Sequence, residues 1–259
     1  MYKCIRSHCI PLRFVCNLRW DCIGGEDESF CGGFNCSYHM HCKYERTCLH
    51  SIELCNGRVE CLLSYDDEEL CDVTTCPDKC RCAGHCLECI GAHLLSLPRF
   101  STLVRAVILR GNTFHKWRRL YLTMQLYLFR LDISNNQIME IEARSFRNCK
   151  SLQELFMLDN HIVSLSKGLF WSLSNLVILN LQSNSIKALQ YKTFSGALKL
   201  KYIFCSAINL NQVADKAFGD LVFLENLDLS QNAINTINKD TFKRLDHLKN
   251  LSFPLLSKS

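Results

Sequence analysis

From residue 104 onward the apolar positions recur on a frame of 24 residues. Asn112, Asn136, Asn160, Asn184 and Asn232 occupy one column of that frame, and Phe146, Phe170, Phe194, Phe218 and Phe242 another. A full unit reads Leu176-x2-Leu179-x-Leu181-x2-Asn184-x-Ile186-x2-Leu189-x4-Phe194. Alternation at Leu179 and Leu181 places both side chains on one face of a short strand, and equal spacing lets successive strands stack into a parallel sheet. The Asn column predicts side chains that satisfy backbone groups at the turn leaving each strand, where an unpaired polar group would be costly. The Phe column predicts a filling for the wider outer side of each coil, with irregular or short 3-10 segments there. Ile208 stands where the fifth unit needs Asn, so that turn is expected to be looser or to shift onto Asn209. Cys149 and Cys205 fall on inward columns and read as buried free thiols acting as small apolar residues.

Ahead of the ladder the pattern changes. Sixteen of the eighteen cysteines lie at or before Cys89, in segments too polar and too short to bury a sizeable core. Such density marks disulfide scaffolds made in an oxidising compartment. Zinc is the rival reading, but the run Cys36-x5-Cys42-x5-Cys48-x6-Cys55-x5-Cys61 lacks the C-x2-C pairs a tetrahedral site uses. Charge divides at the same place. Residues 1–71 carry 7 Lys/Arg against 11 Asp/Glu, and the remainder carries 23 against 14. The acids crowd the cysteines, as cation ligands would. The basic excess is spread thinly, densest at Arg118-Arg119 and Lys199/Lys201, and reads as solvated surface with no nucleic-acid partner.

Residues 1–31 contain Cys16-Asn17-Leu18-Arg19-Trp20-Asp21-Cys22 and Gly24-Gly25-Glu26-Asp27-Glu28-Ser29-Phe30-Cys31. Residues 36–71 hold six cysteines and end in Asp66-Asp67-Glu68-Glu69-Leu70-Cys71. Both segments resemble the class A module of the low-density lipoprotein receptor. That resemblance implies calcium in each, a hard cation that takes oxygen ligands. In the first module the implied ligands are the side chains of Asn17, Asp21, Asp27 and Glu28 with the carbonyls of Phe14 and Arg19. In the second they are Asn56, Glu60, Asp67 and Glu68 with the carbonyls of Glu53 and Arg58. The family's pairing implies disulfides Cys4–Cys22, Cys16–Cys31, Cys36–Cys48, Cys42–Cys61 and Cys55–Cys71. Cys9 is then left over, which suggests a partner upstream of Met1.

Residues 76–98, opening Cys76-Pro77-Asp78-Lys79-Cys80-Arg81-Cys82 and reaching Cys89, look like the cysteine-rich N-terminal cap of leucine-rich repeats. The resemblance implies Cys76–Cys82 and Cys80–Cys89 and leaves Cys86 surplus. Residues 99–259, with the 24-residue frame, resemble the leucine-rich repeat itself. The final unit, Leu248-x2-Leu251-x-Phe253-Pro254, stops before its Asn position, as a chain cut at this end would. The expected fold is therefore small disulfide-rich calcium modules followed by a leucine-rich-repeat solenoid. Its concave face is a parallel β-sheet and its convex side is irregular or 3-10.

A solenoid offers partners its concave face, floored by outward strand side chains. The candidates are Asp132, Glu154, Phe156, Leu158, Asp159, Ile178, Tyr202, Phe204, Glu225 and Asp228. The apolar and aromatic members sit in three neighbouring units, as an interaction patch or as ordinary packing between adjacent strands. Class A modules placed directly before a cap and a period-24 array resemble the relaxin-receptor-like, leucine-rich-repeat G-protein-coupled receptors. The resemblance implies the ligand-binding part of a receptor at the extracellular face of the plasma membrane. There the repeats capture a peptide or protein ligand, such as an insulin/relaxin-like hormone, through acids that meet hormone arginines. Class A modules would aid activation, and the G protein would be reached only through a seven-helix domain outside this chain. A secreted or cell-surface adhesion scaffold is the alternative, and lipoprotein capture by the class A pair a third. No H-E-x-x-H, G-x-S-x-G or P-loop pattern occurs, so no enzyme is expected.

Overall fold

The structure is a computed structural model that describes residues 76–83, 85–102 and 104–254, and before them residues 2–3, 9–10, 22, 40–42, 48–49 and 58–62. The chain divides into two compact units, residues 1–74 with 82–85 and residues 75–81 with 86–259. In the smaller unit, β1 (Tyr2–Lys3) pairs antiparallel with β2 (Cys9–Ile10), and β3 (Met40–His41) with β4 (Cys48–Leu49). Cys42 and Cys61 form a disulfide with a Cα–Cα distance of 5.6 Å. Leu49 is buried beside them, and these three side chains make a small core. Short segments this rich in cysteine are held chiefly by covalent staples. Strand β5 (Arg81–Ala83) lies where the chain passes between the units.

The larger unit is the solenoid the 24-residue frame predicts. Eight strands pair in parallel in the order β6 (Cys86–Glu88), β7 (Ala106–Ile108), β9 (Arg130–Asp132), β11 (Glu154–Phe156), β12 (Ile178–Asn180), β14 (Tyr202–Phe204), β16 (Asn226–Asp228) and β17 (Asn250–Ser252). From β9 to β17 each residue faces the one 24 positions on, as Leu131, Leu155, Leu179, Ile203 and Leu227 do in turn. Those five are buried, so the middle row of the sheet is the inner wall of the core. The convex side is turns, with two short parallel pairs: β8 (Lys116–Trp117) with β10 (Glu140–Ile141), and β13 (Ala188–Leu189) with β15 (Gln212–Val213). No helix among the described residues is long and apolar enough to cross a membrane.

Each concave-sheet strand from β7 to β16 is left through one residue with positive φ: Gly111, Asn135, Asp159, Ser183, Ala207 and Gln231, at 67°, 53°, 51°, 52°, 53° and 54°. This left-handed residue turns the chain so that the following Asn points inward. Asn136 shows the result. Its Oδ1 accepts from the Phe114 N–H at 3.3 Å, while Nδ2 donates to the carbonyls of Leu109, Ile133 and Ser134 at 2.9–3.1 Å. Asn160, Asn184 and Asn232 repeat the arrangement. Ile208 breaks it without loosening the turn. Its side chain is buried, and its N–H donates at 3.0 Å to Oδ1 of Asn232, one coil on. Asn209 does not take over the role; it is exposed.

The Phe column stacks along the outer wall. Ring centroids are 5.7 Å apart for Phe170–Phe194, 5.4 Å for Phe194–Phe218 and 6.0 Å for Phe218–Phe242. Leu122 is buried at the same position of the first coil, where Phe114, Trp117 and Tyr121 cluster instead. Beside the column the coils come close. A Cβ on Gly196, where φ is +97°, would stand 2.4 Å from the Trp171 Cα, so only glycine fits there.

Among the described cysteines, Cys80 bonds Cys89 across a Cα–Cα distance of 4.3 Å, and Cys76 and Cys82 are also in disulfides. Cys86, Cys149 and Cys205 are free. Burial pushes the Cys149 thiol up to about 12, and burial with the nearby Glu88 carboxylate pushes that of Cys86 up to about 11. Burial and then Asp228 raise Cys205 further. Only thiolate attacks alkylating agents, so at pH 8 all three are expected to react at least roughly a hundredfold more slowly than a free cysteine. Mass spectrometry after timed iodoacetamide treatment, native against unfolded, checks this; fast native labelling of Cys149 would contradict the packing.

Candidate functional site

The sheet presents two outward rows. One runs Arg130, Glu154, Ile178, Tyr202, Asn226; the other runs Asp132, Phe156, Asn180, Phe204, Asp228. Both arise from strand alternation, since the buried middle row sends its neighbours out to the opposite face. Phe156, Ile178, Tyr202 and Phe204 therefore adjoin across three coils, and Leu158 follows β11. All five are half-buried. The expectation that they stand exposed is corrected: neighbouring strands in register cover their flanks and leave only the outer parts of the side chains to solvent.

The acids are committed more deeply than the sequence reading anticipated. Asp132 is fully buried, and its expected place on the open floor is corrected. Its Oδ2 lies 2.6 Å from Arg110 Nε, and its Oδ1 accepts from the Ser134 N–H at 3.1 Å. A carboxylate in that position needs both partners to be tolerated. Glu154 pairs with Arg130 at 2.8 Å, and the same guanidinium lies 4.7 Å from the centre of the Phe156 ring. Glu225 pairs with Lys249 at 2.7 Å and with Lys201 at 3.0 Å, which together hold its carboxyl below the usual carboxylate range. Asp228 accepts from the N–H and hydroxyl of Ser230 at 3.0 and 2.7 Å, closing the turn after β16. Asp159 is exposed and accepts from the Asn135 amide at 3.2 Å.

The pairing of these cations has a signal in the sequence. Arg130 and Glu154, Lys201 and Glu225, and Glu225 and Lys249 are each one 24-residue period apart. In a register-matched parallel sheet, that spacing puts opposite charges side by side.

Of the expected calcium ligands, Phe14, Asn17, Arg19, Asp21, Asp27, Glu28, Glu53, Asn56, Asp67 and Glu68 lie outside the described residues. So do Cys4, Cys16, Cys31, Cys36, Cys55, Cys71 and the side chain of Cys48. Arg58 is exposed and Glu60 half-buried. Among the described residues no three His, Cys, Asp or Glu side chains are grouped to hold a metal ion.

Comparison with known families agrees with this architecture. Residues 139–258 match the BspA type leucine rich repeat region in six copies, and residues 127–149 match the leucine rich repeat. Residues 1–31 match the low-density lipoprotein receptor domain class A. Among solved structures, the chain is similar to one titled "Crystal structure of TLR13-ssRNA13 complex", with a TM-score of 0.51 and 20% identity. The likeness covers 61% of this chain and 26% of that one, so the chain spans about a quarter of its structural neighbour. The protein thus joins a low-density lipoprotein receptor class A module to a leucine-rich-repeat solenoid, with a concave β-sheet as its open face.

Proposed function

We propose that this chain is the extracellular ligand-binding region of a G-protein-coupled receptor, in which the repeats capture a peptide or protein ligand and the class A modules aid activation. The observation that carries the reading is the in-register patch of Phe156, Ile178, Tyr202 and Phe204, flanked by charge, on the open face of a rigid sheet. Half-buried aromatic side chains at the centre of such a surface lose little further entropy when a partner covers them, which suits them to anchor it. The ion pairs refine the partner. Glu154 and Glu225 already have cations, so a ligand of the insulin/relaxin class would be held mainly by apolar anchors. Asp159 would be left for an incoming arginine.

The structural neighbour was crystallised with single-stranded RNA. A phosphate backbone seeks unpaired cations, but Arg110, Arg130 and Lys249 on this face are paired with the chain's own acids. The peptide or protein reading is therefore kept. In the first class A module, Asn17, Asp21, Asp27 and Glu28 would hold calcium, with Asn56, Glu60, Asp67 and Glu68 their counterparts in the second. The ion would add an oxygen-ligated crosslink to segments too short to bury a sizeable core.

The test is capture of secreted peptides by the intact chain, followed by titration of the captured species. Phe156→Ala and Tyr202→Ala are each expected to weaken binding at least tenfold, while Val163→Ser, outside the patch, leaves it unchanged. Equal capture by all three variants would remove the concave-face reading. Capture by the face without any signalling when a seven-helix domain is joined would favour the adhesion scaffold.

A further inference from the structure

On the convex side of the first coils, Arg119, Arg144 and Arg147 line one pocket of about 230 Å³ around the exposed side chain of Leu120. The repeat brings them together. Arg144 stands one 24-residue period after Leu120, and Arg119 and Arg147 flank that pair from either coil. None of the three guanidinium groups makes an ion pair among the described residues. The carboxylate beside them, Glu142, is already taken: Lys116 lies 3.4 Å away, and the Arg119 N–H donates to it at 3.0 Å. A second basic pocket, lined by Lys192, Lys216, Lys243 and Arg244, has Asp220 in its lining, whereas no acid lines the arginine pocket.

We infer that this pocket is a binding site for a sulfated polysaccharide. Three cations in a pocket whose lining contains no acid raise the local positive potential. A guanidinium presents two parallel N–H donors that match the oxygens of a sulfate group, which a lysine does not. Single-stranded nucleic acid is the less fitting polyanion. Its sites interleave basic groups with aromatic platforms for the bases, and no aromatic ring lines this pocket. The choice of a sulfated glycan over other polyanions rests on the extracellular placement proposed above. The site is distinct from the concave face, so losing one does not remove the other.

The experiment is heparin-column chromatography of the intact chain with a salt gradient, repeated for the triple variant R119S/R144S/R147S and for a control, K187S/K199S, that removes two cations elsewhere. The wild type is expected to elute at clearly higher salt than the triple variant, with the control close to wild type. In solution, the slope of log Kd against log salt should fall by about two to three for the triple variant. An unchanged thermal midpoint shows that the variant is folded. R119K/R144K/R147K keeps the charge but loses the fork, and should recover only part of the retention. Co-elution of the wild type and the folded triple variant would overturn the site. Single-stranded RNA displacing the chain from the column at lower concentration than a heparin oligosaccharide would overturn the choice of ligand. Peptide capture on the concave face is measured separately, so its outcome does not decide this one.

Discussion

Phe194→Ala is expected to lower the stability of the repeat array by about 3–5 kcal/mol, the usual cost of removing a buried aromatic ring. The ring is fully buried between Phe170 at 5.7 Å and Phe218 at 5.4 Å, so its loss opens a void that neither neighbour can fill without unstacking from its own partner. Phe194→Leu separates volume from stacking. Leu122 already occupies this position in the first coil, so leucine is compatible with the backbone, and the remaining cost should be about 1 kcal/mol of lost ring contact. Urea unfolding of the intact chain gives both values; a Phe194→Leu midpoint equal to that of the wild type would show that stacking contributes nothing beyond bulk.

Asn184→Ala is expected to cost nearly as much, about 3–4 kcal/mol, although it removes no apolar surface. It strands the Ile162 N–H and the carbonyls of Met157 and Leu181, all of which the amide now serves at 2.8–3.0 Å. Each buried polar group left unmade costs about 1–3 kcal/mol. The two variants should differ in hydrogen exchange. Phe194→Ala loosens the outer wall, whereas Asn184→Ala should speed exchange first at Ile162 and in the turn after β12. Protection unchanged at Ile162 would mean that water replaces the amide freely.

The architecture was legible because its causes are periodic. One Asn and one Phe every 24 residues are enough to place strand, turn and outer wall, and the structure finds them there. Ile208 shows what the columns could not convey. The missing amide is bypassed through Asn232 in the next coil, a tertiary substitution that no local reading of the fifth unit contains. The candidate face was legible in outline and misjudged in electrostatics. Alternation correctly sends Asp132 away from the apolar row, yet Arg110 and the Ser134 N–H draw it into full burial. Its place was decided by partners 22 and 2 residues away, neither of them on the 24-residue frame. The arginine pocket was half visible: Arg118-Arg119 stood out as a basic pair, but its convergence with Arg144 and Arg147 needs the coil geometry.

The free thiols buried inside the coils set an order of events for a chain otherwise dense in cystine. Cys149 and Cys205 stay out of exchange only while the repeats around them are stacked. Any opening of those coils before the other cysteines have found their partners offers two competing nucleophiles to every nascent bridge. Repeat stacking therefore keeps these two thiols away from the pairing of the others. Variants that weaken it, Phe194→Ala among them, should betray themselves first as mispaired multimers on a non-reducing gel, before any change in melting temperature is sought.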